Sequence, residues 1–139
     1  PFQETDMIRN YETPEGTIGL VDSTSVTVPV KVFTSLTTGG PIAGSVTGRE
    51  NAVTTIALCN TLAPSAADET TNAVNVNIYF VRSGKSYGSG NLVVSNLTVP
   101  AGETVFFSEE RMVLASGDEI WVGTSAASAL SITVSALAV

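Results

Sequence analysis

The chain has 139 residues, six Lys+Arg against thirteen Asp+Glu for a net charge of −7, no histidine and one cysteine. That length supports a single domain able to bury a core without disulfides or metal. The missing histidine removes Ser–His and Cys–His nucleophilic pairs and imidazole metal sites, the lone Cys59 rules out an internal disulfide or a cysteine zinc site, and the acidic balance repels nucleic acid and anionic membranes.

Residues 1 to 22 hold Glu4, Asp6, Glu12, Glu15 and Asp22, with Phe2, Met7, Ile8 and Tyr11 at no regular period. Pro1 is the residue that removal of an initiator Met would leave, and Pro1 to Asn10 lack the apolar core of a secretory signal. The expectation is a complete gene product whose first 23 residues form an extended arm, with Phe2, Ile8 and Tyr11 as apolar anchors. Met7 to Tyr11 could at most make one marginal helical turn.

From Ser23 onward the dominant period is two. Val26, Val28, Val30 and Val32 alternate with Thr27, Pro29, Lys31 and Phe33, which predicts a strand with the four valines on its core face. Pro29 places that strand at a sheet edge or beside a bulge. A loop rich in glycine covers residues 37–48. Asn51 to Leu58 reads as a strand with Thr54, Ile56 and Leu58 on one face, followed by a polar loop to Asn72. Val74, Val76, Ile78 and Phe80 then alternate with Asn75, Asn77, Tyr79 and Val81 in the clearest strand of the chain. Ser83-Gly84-Lys85-Ser86 predicts a hairpin turn, with the return strand through Leu92 and Val94.

Short strands and turns alternate to the end. Pro100-Ala101-Gly102 turns the chain before a strand at Thr104 to Phe107, Met112 and Leu114 resume the inward face, and Ser116-Gly117-Asp118 is a tight turn before Ile120 and Val122. Leu130, Ile132, Val134 and Ala136 define the last strand. Eighteen valines and eighteen threonines agree with a β fold. The prediction is an all-β domain over residues 24–139, a single sandwich of seven to nine short antiparallel strands, jelly-roll or Ig-like, with the arm at 1–23.

Chemistry has few candidates. The acid pairs Asp68-Glu69, Glu109-Glu110 and Asp118-Glu119 are adjacent in sequence, and neighbours on a strand face opposite ways, so none converges as a glycosidase pair must. Loop carboxylates could hold calcium, but no Asp-x-Asp-x-Asp run is present. No catalytic residue, cofactor or metal is expected. Asn96-Leu97-Thr98 matches the glycosylation triplet, a pattern that recurs by chance. Trp121 sits between inward Ile120 and Val122 and therefore points outward, to be covered by the arm or a loop or to anchor an interface. With Tyr79 and Tyr87 it is also the set a carbohydrate-binding sandwich would need, provided the rings share a plane.

Several segments carry a resemblance: Leu58-Cys59-Asn60-Thr61, Val74-Asn75-Val76-Asn77-Ile78-Tyr79, Val99-Pro100-Ala101-Gly102-Glu103-Thr104, Val113-Leu114-Ala115-Ser116-Gly117-Asp118-Glu119-Ile120 and Ile132-Thr133-Val134-Ser135. In their order and spacing they resemble small β-sandwich virion proteins of tailed bacteriophages. That family includes capsid cement or decoration proteins and neck, tail and fibre components. The resemblance implies a non-catalytic virion protein, assembled in the host cytoplasm, that binds the major capsid protein or other virion proteins and further copies of itself as a dimer or trimer.

Overall fold

The computed structural model of the chain describes residues 8–11, 20–35, 51–68, 70–108, 112–115 and 117–138. They form an all-β sandwich of antiparallel strands: β1 (Ile8–Tyr11), β2 (Val30–Thr34), β3 (Asn51–Asn60), β4 (Val74–Val81), β5 (Leu92–Val99), β6 (Thr104–Phe107), β7 (Met112–Leu114), β8 (Glu119–Thr124) and β9 (Leu130–Ala138). One sheet has the order β1-β9-β3-β6, with β7 pairing β3 beyond β6; the other has the order β2-β8-β4-β5. The chain therefore crosses repeatedly between sheets, and only β4–β5 and β6–β7 stay within one.

Between the sheets lies the core. Leu58, Ile132 and Val134 face Ile78, Val76, Ile120 and Val122, with Leu58, Ile120 and Val122 fully buried. Burial of each such side chain stabilises the fold by about 1.5–3 kcal/mol. The predicted alternation holds in β9, with Leu130, Ile132 and Val134 inward, and sets Val74, Val76 and Ile78 of β4 in the core, but Val81 is buried where it predicts Phe80, and Phe80 is half-buried.

It fails where a bulge intervenes. In β2 the register against β8 shifts between Lys31 and Phe33, so consecutive Val32 and Phe33 are both buried. A shift between Val53 and Thr55 likewise puts Val53, rather than Thr54, on the core face of β3. An extra residue in one strand reverses the facing of everything beyond it. Nor do Val26 and Val28 extend β2: residues 25–28 close a turn, the Val28 amide donating to the Ser25 carbonyl at 3.0 Å, and Val28 is 57% exposed. Pro29 precedes β2, which is both an edge strand and bulged.

The leader is also less separate than composition suggests. Its residues 8–11 are strand β1, paired with β9 of the same chain from Ile8↔Leu137 to Tyr11↔Val134. Val21 is fully buried, its amide donating to the Leu130 carbonyl at 2.8 Å, and Ser23 is buried too. Val21 and Ser23 thus pack into the sandwich. Among the described residues no helix is long and apolar enough to cross a membrane.

Candidate functional site

Of the paired acids, Asp118 and Asp68 are built into turns. Asp118 accepts the Ser83 amide through Oδ1 and the Ala115 amide through Oδ2, both at 3.0 Å, and so ties the β4–β5 connection to the turn before β8. Gly117 takes φ 86° at that turn, a conformation that favours glycine. Asp68 accepts the amide and hydroxyl of Thr70 at 2.9 and 2.8 Å, which hold its carboxyl below the ordinary carboxylate value. Glu119 accepts the Trp121 indole N–H at 3.0 Å and lies 3.7 Å from Lys31 Nζ. Glu69, Glu109 and Glu110 lie outside the described residues. Among the described residues no three acids or cysteines gather as a metal site would need.

Buried polar groups are likewise occupied. Asn60 Nδ2 donates to the Asn72 and Val99 carbonyls at 2.8 and 2.9 Å, and its Oδ1 accepts the Leu62 amide. Thr124 Oγ1 lies 2.7 Å from the Ser23 carbonyl, while the Thr124 amide donates to Ser23 Oγ. Cys59 is a half-buried free thiol. In the glycosylation triplet the Thr98 hydroxyl donates to Asn75 Oδ1, and Asn96 sits at φ 52° where β5 bulges, its amide donating to Asn77 Oδ1 at 2.6 Å.

Two surfaces remain. The first is aromatic and lies on the outer face of the β2-β8-β4-β5 sheet. Cross-strand pairing sets Lys31 beside Trp121 and Trp121 beside Tyr79. Tyr87, from the β4–β5 connection, lies over both, with ring centroids 5.3 Å from Trp121 and 5.8 Å from Tyr79. The interplanar angles are 42° and 58°, so the rings share no plane. Tyr79 is buried, its hydroxyl donating to the Val26 carbonyl at 3.0 Å. Trp121 is half-buried, covered by a residue of its own chain's loop, with its N–H engaged. Of the other expected anchors, Phe2 lies outside the described residues, as do the side chains of Ile8 and Tyr11 in β1.

The second surface was not anticipated as a unit. At the side of the sandwich where β5 and β6 end their respective sheets, a cleft of about 380 Å³ opens between them. Of the ten described residues that line it, nine are apolar, among them Ile78, Phe80, Val93, Phe106, Phe107 and Met112; Ser108 is the tenth. Phe106 is 65% exposed and Val93 43%. A signal was present in the sequence: Leu92-Val93-Val94 and Val105-Phe106-Phe107 are continuous apolar runs where a half-buried strand should alternate. No protein-family model matches the chain, and no curated protein matches it.

Proposed function

We propose that the protein is a virion structural protein of a bacteriophage, a cement or decoration subunit that binds the outer capsid surface and stabilises the shell. The observation that carries this reading is an apolar side with exposed Phe106 and Val93, beside acids Asp118 and Asp68 that brace turns. Phe106 and Val93 stand exposed around a cleft, whereas Asp118, Glu119 and Asp68 each hold a partner in their own chain. Such a surface suits holding other proteins rather than transforming molecules. Strand order supports it by analogy. The interleaving of β1-β9-β3-β6 with β2-β8-β4-β5 favours a jelly roll over an Ig-like arrangement, and jelly rolls are used by viral capsid and lectin domains.

Quantitative mass spectrometry of purified particles tests it. A copy number that scales with the major capsid protein supports a decoration subunit. A small fixed number moves the chain to the neck, tail or fibre, the alternative within the same class. Absence from the particle overturns both.

A second reading, a carbohydrate-binding sandwich, is favoured by the gathering of Tyr79, Tyr87 and Trp121 on one face. Their tilted planes count against a flat sugar platform, and only Tyr87, at 39%, is among the exposed large side chains. Glycan-array binding lost on Trp121→Ala would favour this reading over the capsid one.

A further inference from the structure

We propose that the cleft side of the sandwich is the contact surface for a second copy of this chain, the two copies related by a two-fold axis. The proposal deepens the reading above and rests on it only in taking the chain to be a protein-binding module.

Self-complementarity is the first ground. A two-fold contact uses the same patch on both partners, so protrusion and recess must lie together. Here they do: Phe106, 65% exposed, and Val93, 43% exposed, themselves line the cleft of about 380 Å³. One copy's Phe106 can meet the recess of the other while its own recess receives the partner's. A protrusion and recess on separate surfaces would instead give rings or fibres.

Charge is the second ground. The chain carries −7, and two such molecules repel wherever acidic surfaces face each other. Strands β5, β6 and β7 contain no charged residue, and none of the ten described residues lining the cleft is charged; Glu109, Glu110 and Arg111, between β6 and β7, lie outside the described residues. A basic partner would find no carboxylate on these strands, whereas a second copy meets them with its own neutral surface.

Strand geometry separates this occupant from an added peptide strand. Although β5 and β6 are edges, β5 has two register shifts against β4, and β6 is four residues long. Bulges and short strands blunt an edge against further pairing. The contact is therefore made by side chains of an already folded copy.

Sedimentation velocity of the full chain up to about 100 μM is the test, repeated between about 0.05 and 0.5 M salt. The expected result is a reversible dimer that tightens with salt, because screening weakens the −7 against −7 repulsion while apolar burial persists. Phe106→Glu and, from the other sheet, Val93→Lys should each weaken it at least about tenfold without changing the circular dichroism spectrum. Two variants on separate strands keep the test intact if one misfolds. A wild-type monomer throughout, including one whose cleft instead takes up a small apolar dye, overturns the proposal. So does a dimer that survives both substitutions or loosens with salt. A monomer abundant in particles would sink the dimer alone, and a dimer absent from particles would sink the virion reading alone.

Discussion

The turn at residues 25–28 and the cleft between β5 and β6 finish the same sandwich in opposite ways. Under the turn, backbone meets backbone: a Cβ at Gly123 would overlap the Val26 carbonyl, and Ser23, Thr124 and the Tyr79 hydroxyl engage the surrounding polar atoms. At the cleft, apolar side chains line a gap and two of them stand in solvent. The first region spends its polar groups on fixing one chain to itself. The second leaves apolar surface uncommitted, which is the condition for association.

The largest expected effect breaks the tight region. Gly123→Ala should cost about 3 kcal/mol, because the atoms it meets belong to Val26 backbone and cannot rotate away. Gly90→Ala, where a Cβ meets nothing within 4 Å, should change stability by less than about 0.5 kcal/mol. Urea denaturation of the two variants measures the contrast; equal losses would show that residues 25–28 do not press on β8.

Thr124→Val comes next, at about 2 kcal/mol. It keeps the shape of a fully buried side chain while removing the hydroxyl that reaches the Ser23 and Ala126 carbonyls at 2.7 and 3.0 Å. A double-mutant cycle with Ser23→Ala should be non-additive, since the two side chains belong to one network. Additive losses would mean they act independently.

Asp118→Ala should cost about 1 kcal/mol, since the two amide hydrogen bonds it loses lie where water can partly replace them. Its signature is local: hydrogen exchange at the Ser83 and Ala115 amides should accelerate more than at core amides of β4. Uniform acceleration would instead indicate global destabilisation.

Much of the tight region could be read from the sequence, though not its closure. Alternation identified β4 and β9 because burial on one face is recorded residue by residue. It misassigned Phe33 and Val53 because a bulge is one extra residue whose presence depends on the partner strand. It extended β2 back through Val26 and Val28 because a tight turn built from Ser, Val and Thr looks like a strand when only polarity is counted. Strand β1 pairs through backbone groups with β9, more than a hundred positions away, and such pairing needs no periodicity of its own. The aromatic set was legible as three residues. That Tyr87 would close over the other two depended on the path of a ten-residue connection between Val81 and Leu92.

The smallest expected effect lies in the loop before β4. The Thr70 amide, first, and then its hydroxyl stabilise the charged form of Asp68, which lowers its folded-state pKa. Because the folded value lies below the unfolded one, this contribution is complete above the ordinary carboxylate value and is lost as pH falls through the lowered one. An NMR titration of the Asp68 carboxyl should therefore show a midpoint below that of an unstructured peptide. Thr70→Val removes the hydroxyl bond and keeps the amide, so the midpoint should rise part of the way back. A midpoint unmoved by Thr70→Val would assign the whole shift to the backbone.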